Sequence, residues 1–275
     1  FYTGALQTVT YPVENYHFRG ARFFTCKAPC GPKRGHGTVQ PRFALEVQLD
    51  KIACDLGLDP AEMRLANLAP RESLTANFLR IGSMGLGTCI QKVVDGSRWK
   101  ERRGKKEVTK DGRIRGLGLA CSSYLSGAGL PIYWNGLPHS GVQLKLDRSG
   151  LVTAFCGSTD IGQGSDSVLG WIIGEVLGID PLGIKVVTGD TDLTPVDLGS
   201  YSSRVTLMTG NAAMQAAERA RELIARGVAD KLGVPAGRLV FADSRVFDAE
   251  EPQKGMTFQE AVVCTEARFG TIGTV

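Results

Sequence analysis

Two alternating segments, Gly141 to Leu146 and Leu151 to Cys156, flank the turn Asp147-Arg148-Ser149-Gly150. Alternation on both sides of a polar, glycine-closed turn predicts a β-hairpin, and one antiparallel pair already excludes an all-parallel sheet. The neighbouring sequence supplies helices. Ser165 to Leu177 is apolar enough for a buried helix, and Ser203 to Leu232, rich in alanine, reads as the longest helix. Ile184 to Thr188 reads as a strand, Leu239 to Asp243 with Arg245 to Asp248 as a second small hairpin, and Thr257 to Glu266 as a final helix. Helices and strands mixed in this way predict an α+β (mixed α/β) fold.

The first hundred residues are more helical. Tyr11 to Thr25 alternates aromatic and polar residues and predicts an extended segment, followed by a glycine- and proline-rich loop from Lys27 to Thr38. Pro41 opens a helix that Gly57 ends, and Asp59-Pro60 starts another with Asp59 as its N-cap. Thr88 to Trp99 predicts a third helix and Arg113 to Ser123 a glycine-rich strand. Charge and glycine concentrate between Gly104 and Gly112, which places a boundary between residues 1–104 and 113–275.

Composition narrows the function classes. Net charge is only +4, and the densest basic stretch, Lys100 to Lys110, is too short for a nucleic-acid arm and reads as a solvated loop. Seven scattered cysteines do not form a secreted disulfide framework, which predicts a cytoplasmic protein. Cys26 and Cys30 have no second pair at zinc or iron–sulfur spacing. No apolar run reaches the about 20 residues that span a bilayer. The sequence opens on Phe1 directly in strand-like sequence and stops after Phe269-Gly270-Thr271-Ile272-Gly273-Thr274-Val275 without a helix cap or polar tail, so it reads as an internal piece of a longer protein.

Three glycine- or serine-rich segments could carry chemistry. In Arg34-Gly35-His36-Gly37-Thr38 the glycines permit unusual backbone angles beside an arginine, although a tight turn before a helix would look the same. Gly157-Ser158-Thr159-Asp160-Ile161-Gly162-Gln163-Gly164 joins a strand to an apolar helix and could offer backbone amides to a phosphate or pterin. It matches neither the Walker loop nor the dinucleotide fingerprint. Gly199-Ser200-Tyr201-Ser202-Ser203-Arg204-Val205-Thr206 enters the longest helix, where its hydroxyls could cap the first turn or face an anion. Asp190, Asp192 and Asp197 around Pro195 read as a solvated loop, and His17 as structural.

Taken in order, the three segments resemble the molybdenum-binding subunit of the xanthine dehydrogenase family. Arg34-Gly35-His36-Gly37 is similar to its Arg-Gly-Phe-Gly loop, Gly157 to Gly164 to its Gly-Gly-Thr-Glu-Met-Gly-Gln-Gly segment, and Ser202 to Thr206 to its small-residue helix entrance. Pro29 to Thr38 and Ser200 to Thr206 further resemble the 4-hydroxybenzoyl-CoA reductase branch, which works in aromatic degradation. The resemblance implies that 1–104 and 113–275 are two parts of a molybdenum-cofactor-binding region holding molybdopterin cytosine dinucleotide.

By the same resemblance, Arg34, Gly35, Gly162, Gln163, Gly164, Ser202, Ser203, Arg204, Val205 and Thr206 would bind the cofactor. The backbones of Arg34 and Ser202 would lie near the metal without ligating it, and Ser203 to Thr206 at the dinucleotide phosphates. His36, Tyr133 and Tyr201 would face substrate, with His36 and Tyr201 as catalytic proton donors. Implied partners are an iron–sulfur subunit and an FAD subunit, and the implied substrate is an aromatic acyl-CoA. Hydroxylation of a purine, N-heterocycle or aldehyde is the alternative activity, and a cofactor-free scaffold is the non-enzymatic alternative. His36 departs from the family's aromatic residue, which speaks against purines. The family's Gly-x-Gly-Glu motif, with its glutamate base, does not occur in this sequence, so the chain alone is expected to be inactive.

Overall fold

A computed structural model of the chain describes residues 2–29, 31, 33–127, 136 and 139–270. Tyr133 lies outside the described residues. The described residues up to 125 form one compact unit and those from 126 onward a second.

The first unit contains α1 (Tyr2–Ala5), α2 (Val39–Asp55), α3 (Pro60–Ala66), β1 (Ser73–Leu74), β2 (Arg80–Ile81), α4 (Leu86–Ser97), α5 (Trp99–Arg102), β3 (Glu107–Val108) and β4 (Ile114–Arg115). Asp59 caps α3 as its sequence predicts, its carboxylate accepting from the Ala61 and Glu62 amides. The expected third helix is interrupted at Arg98, which takes a left-handed φ of 52° and turns the chain into α5. The glycine-rich strand expected over 113–123 is confined to Ile114–Arg115, paired with β3; the rest lies outside any ladder.

One core of this unit gathers Tyr11, Ala61, Ile90, Val94, Trp99 and Cys121. A buried polar network crosses it. Glu46 on α2 accepts hydrogen bonds from Tyr11 Oη (2.8 Å), Arg64 Nε (2.8 Å) and the Cys121 amide (2.9 Å). Arg64, on α3, is itself 1 % exposed, so the pair is desolvated and depends on these additional bonds. Burial and the neighbouring Glu46 push the Tyr11 phenol well above its ordinary pKa. This network fixes α2, and α2 in turn fixes the glycine loop that feeds into it.

The second unit contains β5 (Val142–Leu146), β6 (Val152–Cys156), α6 (Ser165–Leu177), β7 (Ile184–Thr188), α7 (Gly210–Leu232), β8 (Leu239–Ala242), β9 (Arg245–Asp248), β10 (Gly255–Thr257) and α8 (Phe258–Phe269). The predicted hairpin is present: β5 and β6 pair antiparallel from Val142↔Cys156 to Leu146↔Val152. β6 then pairs parallel with β7, and α6 makes the crossover between them. A second three-stranded sheet has the order β10-β9-β8. Inward residues of β5 and β6 (Leu144, Val152, Ala154, Cys156) meet Leu169, Ile173 and Leu177 of α6 and Ala213, Ala217 and Ile224 of α7 in one core.

The longest helix differs at its start. Sequence places it from Ser203, whereas the α-helix begins at Gly210, after a π-helical turn over Val205–Thr209. The cause lies upstream: Ser202 (φ 57°) and Ser203 (φ 51°) are both left-handed, a conformation that cannot extend an α-helix. At the other end of this unit, Thr257 and Glu260 form a reciprocal capping box for α8.

Candidate functional site

The second unit brings two of the three predicted segments together. Both arise where an element ends: 157–164 after β6, and 199–206 before α7. Ser200 clasps them. Its Oγ accepts from the Thr159 amide (2.9 Å) and donates to the Thr159 carbonyl (2.5 Å). Beneath the clasp, Gly157 lies flush on the 195–197 segment. A Cβ there would stand 2.4 Å from the Pro195 carbonyl and 2.8 Å from Asp197 Cβ, so only glycine permits the contact.

The 157–164 loop satisfies three of its own amides. Asp160 Oδ1 accepts from the amides of Gly162 (2.7 Å) and Gly164 (3.3 Å). Gln163 Oε1 accepts from the Ile161 amide (2.6 Å), while its Nε2 donates to the Thr159 carbonyl (3.2 Å) and to Ser165 Oγ (2.9 Å). The expectation that this loop presents free amides to a phosphate therefore meets a specific obstacle: its own carboxylate already fills the anion-binding concavity. The Gly162 and then the Gly164 amides hold the Asp160 carboxyl below the ordinary aspartate value. Asp166, in the first turn of α6, is displaced upward, by burial first and by the charge of Asp160 second. Gly162 and Gly164 have open space where a side chain would stand, so the glycine edge of the loop is bare to any flat ligand.

The 199–206 segment is held from below by a buried ion pair. Arg204 Nη1 lies 2.7 Å from Asp197 Oδ1, and both side chains are fully buried. Arg204 also donates to the Gly199 carbonyl (2.7 Å), to Ser140 Oγ (2.8 Å) and to the His139 carbonyl. The same Asp197 Oδ1 accepts from the Gly199 amide (2.7 Å), and Oδ2 from Thr209 Oγ1 (3.3 Å). Both terminal nitrogens of the guanidinium are thus bonded inside the unit, while the buried Nε has no hydrogen-bond partner among the described residues. Any contact from Arg204 to a bound phosphate would come from its main chain.

Ser202 is buried and donates from Oγ to the Gly127 carbonyl (3.2 Å), whereas Ser203 and Thr206 are exposed at the surface of the turn. Two consecutive left-handed serines cost roughly 1–2 kcal/mol each, and such conformations and π-turns concentrate at functional positions. Val205 is buried and Tyr201 half-buried, its ring 5.7 Å from the Arg204 guanidinium carbon.

Asp197 is the residue that sequence reasoning missed. Its sequence context groups it with Asp190 and Asp192 as solvated loop. Asp190 is indeed a surface turn-former, accepting from the Asp192 and Leu193 amides. Asp197 is instead a buried anchor. Its only sequence signal is an acid and an arginine placed on either side of Gly199-Ser200.

The remaining predicted segment belongs to the first unit. Arg34 is exposed, and residues 34–38 form a tight turn with Gly35 (φ 86°) and Gly37 (φ 80°) left-handed. Gly37 is also a close approach: a Cβ would stand 2.6 Å from that of Tyr2. Thr38 closes the turn, its amide (2.8 Å) and hydroxyl (2.6 Å) both donating to the Gly35 carbonyl. The His36 ring lies 4.5 Å from the Tyr2 ring, and His36 Nδ1 is buried without a hydrogen-bond partner among the described residues. No cluster of metal-ligating side chains occurs among the described residues. No helix among them is long and apolar enough to cross a membrane.

These features fit a flat, phosphate-bearing ligand held by backbone and hydroxyl groups. The glycine edge is open, hydroxyls are exposed at a turn, and beneath them the Asp197 carboxylate and the terminal nitrogens of Arg204 are paired with each other and with their neighbours. Comparison with known proteins points the same way. A family model for a molybdopterin cofactor-binding domain matches residues 92–273, and a second of the same description matches residues 2–68. The xanthine dehydrogenase molybdenum-binding subunit of Escherichia coli O157:H7 is 34% identical over 248 residues, covering 89% of this chain and 32% of that protein. The 6-hydroxypseudooxynicotine dehydrogenase complex subunit gamma of Paenarthrobacter nicotinovorans is 33% identical over 228 residues, 78% of this chain and 28% of that protein. Among solved structures, CO dehydrogenase from Oligotropha carboxidovorans superposes with a TM-score of 0.70 at 26% identity, covering 81% of this chain and 29% of that one. The chain spans about a third of the length of these curated relatives. By its sequence and its fold, the chain belongs to the molybdopterin-binding domains of the xanthine dehydrogenase and aldehyde oxidase family.

Proposed function

We propose that this chain supplies cofactor-gripping loops of a molybdenum hydroxylase-type oxidoreductase subunit. The observation that carries the reading is the Ser200 clasp, which sets the glycine edge of 157–164 beside the serine turn of 199–206. The cofactor, when bound, supplies the two-electron redox chemistry. The protein's part is orientation: Gly162, Gln163 and Gly164 border a flat ring system, while Ser203 and Thr206 offer hydroxyls, and Arg204 and Val205 main-chain atoms, to phosphate oxygens. Ser202, and separately Arg34 and Gly35, remain proposed cofactor contacts through their backbone, on the family resemblance alone. The cytosine dinucleotide form, and iron–sulfur and FAD subunits as partners, belong to this same reading and rest on the family resemblance.

The finer proposal is reductive dehydroxylation of 4-hydroxybenzoyl-CoA. It rests on the segments Pro29 to Thr38 and Ser200 to Thr206 and on His36, which replaces an aromatic stacking residue with a titratable one. In that reaction electrons and protons enter the ring, the phenolic C–O bond breaks and water leaves, so a proton donor is required at the ring. His36 and Tyr201 are the proposed donors, and Tyr133 the further substrate-facing residue. Hydroxylation of an N-heterocycle, purine or aldehyde is the competing activity.

Two measurements on the full-length protein test these readings. Metal analysis and mass spectrometry of the released nucleotide should find molybdenum and a cytidine-containing pterin; protein from molybdenum-replete cells that lacks both would favour a scaffold. Turnover of 4-hydroxybenzoyl-CoA with a low-potential donor should exceed turnover of purines, heterocycles and aldehydes with an acceptor. His36→Phe should keep the molybdenum content and lower dehydroxylation by about 10²-fold or more. Unchanged turnover removes His36 from that role.

A further inference from the structure

We infer that Asp197 is a positioning residue: its buried pair with Arg204 sets the left-handed Ser202–Ser203 turn and keys that turn to the 157–164 loop, so that it decides whether the cofactor is retained. This rests on the cofactor reading above and adds a residue that the family motifs do not include.

Three observations converge on Asp197. The first is chemical. Its two carboxylate oxygens accept from three places at once: Arg204 Nη1 and the Gly199 amide on Oδ1, and Thr209 Oγ1 on Oδ2. Gly199 precedes the strained turn, Arg204 follows it, and Thr209 closes the π-turn. One carboxylate therefore ties the start, the end and the helical continuation of the segment. The second is steric. Gly157 lacks the side chain that would strike Asp197 Cβ at 2.8 Å, so the root of the first loop rests directly on this residue. The third is conformational. Ser202 and Ser203 hold positive φ without being glycine, and such geometry persists only where its surroundings over-determine it. Arg204 supplies that constraint by donating to the Gly199 carbonyl, Ser140 and His139.

Asp197 touches neither cofactor nor substrate in this account. It acts through Arg204, Gly199 and Gly157. A purely structural role would also destabilise the unit, so the test must separate positioning from general loss of stability.

Full-length Asp197→Asn and Arg204→Lys are compared with Ile173→Ala, a fully buried core change in the same unit. Molybdenum and pterin per chain, hydrogen exchange over 199–206 and melting temperature are measured for each. The two charge-pair variants should lose cofactor about fivefold or more and exchange about tenfold faster over 199–206. Ile173→Ala, with an equal or larger fall in melting temperature, should keep both quantities within about twofold of wild type. If Asp197→Asn does not accumulate as folded protein, Arg204→Lys and Ser140→Ala decide by the same readouts. Occupancy that simply follows melting temperature across all variants overturns the inference, as does wild-type occupancy and loop exchange in the charge-pair variants. Wild-type protein without molybdenum or pterin would instead sink the cofactor reading, while the exchange data would still show whether Asp197 sets the turn.

Discussion

Asp160 and Asp166 show how one short loop moves two like groups in opposite directions. The amides of Gly162 and Gly164 hold Asp160 below its ordinary value of 3.8, so its contribution to stability is complete above that value and lost as pH falls through the folded one. Asp166 is raised from 3.8 by burial and by Asp160, so ionising it costs stability as pH rises through its folded value. Carboxyl titration by NMR should order the two groups in that way. Asp160→Asn should bring Asp166 part of the way back, because the charge is removed and the burial is not; an Asp166 titration that does not move would refute the coupling. None of this was legible in the sequence, where Asp160 was only a loop letter and Gln163 only a cofactor contact. Both spend their hydrogen bonds inside the loop, a fact of three-dimensional closure that spacing does not encode.

At the scale of elements the sequence was more readable. The α6 span and the β5–β6 hairpin match their predicted positions closely, because periodicity and turn chemistry are local signals. The expected 113–123 strand shrank to two residues, and glycine enrichment was the warning, since glycine weakens a strand interior. The start of α7 moved because left-handed serines leave no trace in composition. The joint at Gly157 gives a prediction at this scale. Gly157→Ala should force the Pro195–Asp197 segment off the end of β6, lowering stability by about 1–3 kcal/mol in denaturant unfolding. Cofactor content should fall with it; a variant as stable and as loaded as wild type would show that the two loops do not need this contact.

For the molecule as a whole, the three motifs divide between two units: 34–38 in the first, 157–164 and 199–206 in the second. Their order along the chain was enough to name the family, whereas the clasp and the buried pair that join the latter two required coordinates. The Gly-x-Gly-Glu motif is absent from these 275 residues, which cover about a third of the relatives' length. These 275 residues on their own are therefore expected to show no turnover with any of the proposed substrates. Steady-state assays check this, and measurable activity would mean that another group supplies the base.

The self-filled loop has one more consequence. Cells hold inorganic phosphate and sulfate at concentrations far above that of any pterin, and a bare ring of amides would be occupied by them. With the Asp160 carboxylate seated on Gly162 and Gly164, a small free anion meets a like charge and finds those two amides already bonded. A large, flat molecule that brings its own contacts along the glycine edge is not competing for the same atoms. Under the proposed function, the loop turns small salts away and leaves its glycine edge to the cofactor.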